Sequence, residues 1–126
     1  EKEKIVIRSF FAPNHTYDEN TFLALKKNKI KNIIDGYGLM PYQYKNLNFF
    51  PQLFYKEILL PFGIQSTQVH INYWDEKDFL KFENFIIKNK SKIISFDQAL
   101  NKVDNSIIYK TLNWSVEKLL KVFRKF

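Results

Sequence analysis

The two histidines of this chain, together with Asp35, stand where side chains could move protons. His70 falls near the end of the alternating run Ser66 to Ile71, with Val69 and Ile71 on the opposite face and Asn72 on its own. An imidazole, whose ordinary pKa is about 6.5, can act there as a general acid near neutral pH. On spacing alone, a structural histidine with satisfied hydrogen bonds reads equally well. Asp35 precedes Gly36, where a carboxylate can orient an imidazole and hold its charged form. Taken by itself it reads first as a turn residue. His15 lies in the polar turn Pro13-Asn14-His15-Thr16, a setting that suits an exposed side chain.

Other chemistries find no footing. Cysteine is absent, which removes thiolate zinc sites, disulfides and cysteine nucleophiles. No HxxxH or HExxH pair occurs, and two histidines do not complete a usual three-ligand zinc site without a carboxylate. The three glycines form neither GxGxxG nor GxxxxGK, and no GxSxG marks a serine hydrolase.

Residues of this kind need elements to position them. Ile5 to Phe10 reads as a strand. Asp18 is a helix N-cap before Phe22, Leu23 and Leu25, and that helix ends near Asn28. Ile30 to Ile34 is a second strand, stopped by Asp35-Gly36. Tyr37 to Phe62 reads as an irregular, structured loop rich in aromatics and prolines, with Phe49-Phe50 and Ile58-Leu59-Leu60 as short strand candidates. Ser66 to Ile71 is a third strand, and Asp75 caps a helix carrying Phe79, Phe82 and Ile86. Ile93-Ile94 reads as a fourth strand. Ser95 and Gln98 form a capping box for a helix using Phe96, Ala99, Leu100 and Val103. An amphipathic basic helix follows from about Ser115 to Lys125, with Val116, Leu119, Leu120 and Phe123 on one face and Lys118, Lys121, Arg124 and Lys125 around the other. It can pack on the body of the domain, which is the better reading, or lie on an anionic membrane.

Strand and helix alternation implies right-handed βαβ units and a parallel sheet. A closed barrel takes about 200 residues or more, so the expected α/β fold is a partial (β/α) barrel of mainly parallel short strands. Reactive groups in such folds gather at the carboxyl ends of strands. The Pro13 loop, Asp35 and His70 are therefore expected around one mouth. Tyr37, Tyr42, Tyr44 and Trp74 lie in or beside it, with flat faces that can stack on a ligand ring or serve as ordinary packing.

Length bounds the chain to one domain or a piece of one. Lys plus Arg outnumber Asp plus Glu by 20 to 13, a formal charge of +7 that raises nucleic acid, anionic glycan or a membrane surface as partners. No recognition helix or paired aromatic platform supports nucleic acid. No apolar run reaches the roughly 18 residues of a membrane span, and no signal-like apolar core follows Glu1-Lys2-Glu3-Lys4. The compartment is left open between cytoplasm and cell envelope.

The order Phe11-Ala12-Pro13-Asn14-His15, Ile33-Ile34-Asp35-Gly36-Tyr37-Gly38, Phe50-Pro51-Gln52 and Gly63-Ile64-Gln65-Ser66-Thr67-Gln68-Val69-His70 resembles the later motifs of the polysaccharide deacetylase (NodB-like, carbohydrate esterase) family. The likeness continues into Phe85-Ile86-Ile87 and Ile93-Ile94-Ser95-Phe96 and covers about positions 5 to 103. It implies a hydrolase that removes acetyl groups from N- or O-acetylated sugars through a metal-activated water. It makes His70 the general acid and Asp35 its tuning partner. Pro13 then marks the loop lining the sugar groove, with His15, Tyr37 and Trp74 beside it. The family's paired aspartates and metal-binding histidines have no counterpart in this chain. Phe11 stands where an arginine usually precedes the proline, and Arg8 lies farther back. The resemblance thus implies the carboxyl-terminal half of a deacetylase-like domain over residues 1–110, followed by the basic helix over 111–126. A divalent metal, zinc by expectation, belongs only to the complete domain, and an N-terminal half or partner chain would complete the barrel. A non-catalytic glycan-binding or assembly module is the alternative.

Overall fold

A computed structural model describes residues 5–54 and 56–123. The charged start Glu1–Lys4 and the basic residues Arg124 and Lys125 lie outside them. The first helix, α1 (Glu19–Lys27), starts where its cap dictates: the Thr21 N–H donates to Asp18 Oδ1 at 2.8 Å, and the Asp18 N–H reaches Thr21 Oγ1 at 3.3 Å. Phe22 and Leu25 are buried and join Ile33, Leu47 and Phe49 in the core, whereas Leu23 is exposed.

That core covers one face of a small mixed sheet. Strands β1 (Asn32–Ile34), β2 (Tyr42–Tyr44) and β3 (Leu47–Phe50) lie in the order β1-β3-β2. β1 runs parallel to β3 with Ile33 opposite Phe49, and β2 runs antiparallel to β3 with Tyr42 opposite Phe49. Phe10 adds a single parallel bridge to Ile33 outside β1. Tyr42 stacks on Phe49 at 5.2 Å between ring centroids, so the register is locked by an aromatic cross-strand pair.

The expected partial barrel is therefore overturned. Among the described residues there is one three-stranded mixed sheet, and its parallel pair is joined through β2 without an intervening helix. Two features account for the difference. First, Tyr42–Phe50 is a hairpin: Lys45 and Asn46 adopt φ of 50° and 61°, the left-handed pair that a two-residue turn requires. Second, Ser66 to Ile71 forms no strand. Its first residue and the one before it bond the neighbouring loop in place of a ladder: Ser66 N–H and Oγ both donate to the Pro51 carbonyl, and Gln65 Nε2 donates to that of Gly38 at 2.9 Å. Ile58 to Leu60 and Ile93-Ile94 are likewise outside any strand, and Ile5 to Ile7 is exposed and unpaired apart from the Phe10 bridge.

Three helices follow. α2 (Glu76–Asn89) and α3 (Phe96–Leu100) carry the expected boxes at Asp75 and at Ser95 with Gln98. α4 (Ile107–Phe123) begins well before Ser115, because the Ser106 hydroxyl accepts the Tyr109 N–H and Asp104 accepts that of Ser106. A domain boundary between residues 110 and 111 falls inside this helix. Buried Asn113 ties α4 to the loop after β1, taking the Leu39 N–H at 3.0 Å. Gly38 permits that approach, since a Cβ there would lie 2.7 Å from Asn113 Oδ1.

Candidate functional site: an imidazole–carboxylate pair beside an aromatic cavity

Asp35 is placed by the end of β1 and is buried, with its side chain only 7% exposed. Its Oδ1 accepts the Gly36 N–H at 2.6 Å and lies 3.0 Å from His15 Nδ1. Oδ2 is buried with no hydrogen-bond partner among the described residues. Burying a carboxyl group costs free energy unless it has hydrogen-bond partners, and the His15 ring nitrogen is one such contact of Oδ1.

His15 reaches Asp35 through an unusual turn. Pro13–His15 is a single 3-10 turn in which Asn14 and His15 hold φ of 52° and 55°. For a residue with a Cβ the left-handed region costs roughly 1–2 kcal/mol. Packing offsets it: Phe11 meets the imidazole edge-on at 5.6 Å, and the Asp35 contact holds the ring from the other end. The imidazole is part-buried rather than exposed, contrary to the reading of its turn as a surface loop.

Tyr17 and Tyr37, two residues after His15 and Asp35, help wall a cavity of about 390 Å³ together with Phe22, Tyr42, Tyr44, Phe49 and Glu117. A second hollow of similar size shares Tyr37, Tyr42, Tyr44 and Glu117 and opens between the hairpin and α4, with Lys45, Lys110 and Trp114 on its rim. Gly36 brings the two parts of the site together. At φ +111° it turns the chain after Asp35, and a Cβ there would sit 2.6 Å from the Tyr42 hydroxyl. Burial pushes the Tyr17 phenol up to about 12, and the charges of Asp35, Tyr37 and Glu117 push the same way. Tyr42 is raised further, by burial first and then by Tyr17, Glu117 and Asp35. Both rings are neutral phenols at neutral pH.

The sequence-derived candidates separate into two groups. Pro13, His15, Asp35 and Tyr37 belong to this site, Pro13 as the exposed start of the turn. His70 and Trp74 do not. His70 is exposed, its carbonyl accepts the Tyr73 N–H at 3.2 Å, and its side chain makes no hydrogen bond among the described residues. The expected pairing of Asp35 with His70 is thus corrected: His15 takes that place. The His70 segment still runs near the end of β1, because Gln52 donates its N–H to the Gly36 carbonyl and its side-chain amide to Gln68 at 3.4 Å. Trp74 packs on Phe79 and Phe82 of α2 at 5.3 and 5.1 Å. Arg8 pairs with Asp97 and lies over the Phe96 ring, tied to α3.

Tyr17 and Glu117 were not anticipated as site residues. Tyr17 follows His15 by two positions, and Glu117 is the single acidic residue of α4, one helical turn after Asn113. Those spacings were the available signals. As for the metal that the resemblance implies, no three His, Cys, Asp or Glu side chains converge among the described residues. Asp35 Oδ1 is already shared between Gly36 and His15, so the residues present do not fit a resident ion.

A scan of protein-family models, a search of curated proteins and a search of solved structures each find no match to this chain. No helix among the described residues is long and apolar enough to cross a membrane.

Proposed function

We propose that the chain supplies the sugar-recognising and proton-delivering part of a deacetylase-type hydrolase acting on N- or O-acetylated sugars. The observation that carries this reading is the His15 imidazole held 3.0 Å from buried Asp35, with Tyr17 and Tyr37, two residues further on from each, walling an aromatic cavity. Asp35, itself anchored by the Gly36 N–H, sets the orientation of the ring through Nδ1. An imidazolium so placed delivers a proton to the departing nitrogen or oxygen as the acetyl group leaves. The tyrosine faces hold the sugar, since flat rings stack on the apolar faces of pyranoses while keeping hydroxyls at their edges. In this reading His15 does what the family resemblance assigns to His70. Activation of the attacking water is left to groups outside the described residues.

The test is acetate release from N-acetylated chito-oligosaccharides by the whole polypeptide that carries this chain. Release that His15→Ala lowers by about 10²-fold or more is the expected result, the range of general acid catalysis. No release from any acetylated sugar would overturn the reading. The cavity without a converging metal-ligand set favours a second reading, a glycan-binding module without catalysis. It predicts saccharide binding that His15→Ala leaves untouched and no acetate under any condition.

A further inference from the structure

Residues 107–126 carry five Lys or Arg against a single acid, Glu117. Within them α4 sorts its side chains by face. Tyr109, Leu112, Val116 and Glu117 are half-buried and Asn113 is buried, so this arc of the helix lies on the body of the domain. The opposite arc, stepped at about 100° per residue, holds Ile107, Ile108, Trp114, Leu119 and Val122, which are 56% to 81% exposed. The apolar face expected from the sequence is thereby split, with Val116 turned inward and Leu119 outward. Lys110 and Lys118 are exposed as well, and neither pairs with a carboxylate among the described residues. The Lys118 ammonium lies over the Trp114 ring at 5.7 Å, which keeps its charge beside the apolar side chains. Glu117, the acid that could oppose these cations, faces the ring-walled cavity instead.

We propose that the outward face of α4 docks on an anionic lipid bilayer. Aliphatic side chains set among unpaired cations fit a surface that offers both negative charge and apolar depth. Nucleic acid offers only the first. No helix among the described residues is long and apolar enough to cross a membrane, so α4 lies along the headgroup boundary with Ile107, Ile108, Leu119 and Val122 toward the acyl chains. Trp114 sits at that boundary, where an indole keeps its ring in the apolar layer and its N–H among the headgroups. The stems of Lys110 and Lys118 cover apolar surface while their ammoniums reach lipid phosphates and carboxylates. The inward arc stays on the domain, where Asn113 accepts the Leu39 N–H at 3.0 Å. Docking therefore requires no unpacking of the helix.

The experiment is co-sedimentation of the full chain with two kinds of vesicle at neutral pH and low salt, phosphatidylcholine alone and phosphatidylcholine with about one-third phosphatidylserine. Binding to the anionic vesicles is expected to be at least about tenfold tighter and to weaken as salt is raised. The Lys110→Gln and Lys118→Gln pair is expected to weaken it about tenfold or more. Leu119→Gln with Val122→Gln, at exposed positions and with a residue that favours helix, is expected to weaken it at least about tenfold, with circular dichroism confirming the fold. Absence of binding to the anionic vesicles, equal binding to both kinds, or binding that survives the Leu119 and Val122 pair overturns the inference. A dimer in sedimentation velocity that the same pair dissolves overturns it too, since the face then belongs to a second copy of the chain.

Discussion

The chain's two histidines sit in regions built on opposite terms. Residues 10–52 hold the sheet, α1 and the buried ring cluster around Phe49. Residues 57–94 hold α2, which has no buried residue, and a groove of about 480 Å³ lined by apolar side chains including Ile58, Phe82, Phe85 and Ile94. His15 belongs to the first region and is fixed on two sides, by Phe11 and by Asp35. His70 belongs to the second and faces solvent. Both are histidines in short polar contexts. The difference teaches that a buried partner holds an imidazole in one orientation, which an exposed histidine of similar sequence context lacks.

The sharpest way to break this contrast is to exchange the two roles. His15→Ala is expected to lower acetate release by about 10²- to 10⁴-fold, while His70→Ala changes it less than threefold. The reverse order, measured as kcat/KM on the same acetylated oligosaccharide, would return the acid to the family position.

Stability should divide along the same line. Phe49→Ala removes a ring stacked on Tyr42 and edged by Phe22, and is expected to cost about 3–5 kcal/mol. Phe79→Ala on half-exposed α2 is expected to cost clearly less, about 1 kcal/mol, through its edge contact with Trp74. Denaturant titration of the two variants checks this, and equal losses would mean that the second region is as firmly packed as the first.

A smaller effect probes the join between strand end and cavity. Gly36→Ala forces a residue with a Cβ to φ +111° and toward the Tyr42 hydroxyl, at an expected cost of about 1–3 kcal/mol. Denaturant titration of that variant reads the loss, and an unchanged midpoint would mean that the Tyr42 ring yields freely.

The least effect is electrostatic and needs its sign worked out. The folded pKa of Tyr17 is raised from 10.0 to about 12, so its contribution is intact below pH 10 and is lost as pH rises toward 12. Asp18 behaves in the opposite sense. Its carboxyl is held below its ordinary 3.8 by the Thr21 N–H and hydroxyl, so the α1 cap holds at neutral pH and weakens as pH falls through the folded value. Tyrosinate absorbance in an alkaline titration and helix ellipticity in an acid one read the two separately.

The starts of the first three helices were legible because each depends on residues within one turn, whereas α4 begins at Ile107 and was expected only from about Ser115. Asp18, Asp75 and the Ser95 with Gln98 box all cap as their spacing implies. The fold class was not, and the particular failures share a cause. Lys45-Asn46 is not a common hairpin pair, so the two strands it joins looked like loop. Ser66 to Ile71 alternates as a strand does, yet Ser66 bonds Pro51 and the preceding Gln65 bonds Leu53 and Gly38 in place of a ladder. Of the site, Asp35 and the nearby aromatics were visible by residue type, but Asp35 was matched to the wrong imidazole.

From its amino acids alone this protein determined where three of its helices begin, that Asp35 ends a strand and that its middle segment is dense with aromatic rings. Local hydrogen bonds and apolar spacing are enough for that. Which imidazole Asp35 holds, which tyrosines wall a cavity and that Glu117 joins them were decided by tertiary structure. Those relations connect residues 20 to 100 positions apart in the chain, where only the packing of the sheet against α1 and α4 sets distance and burial.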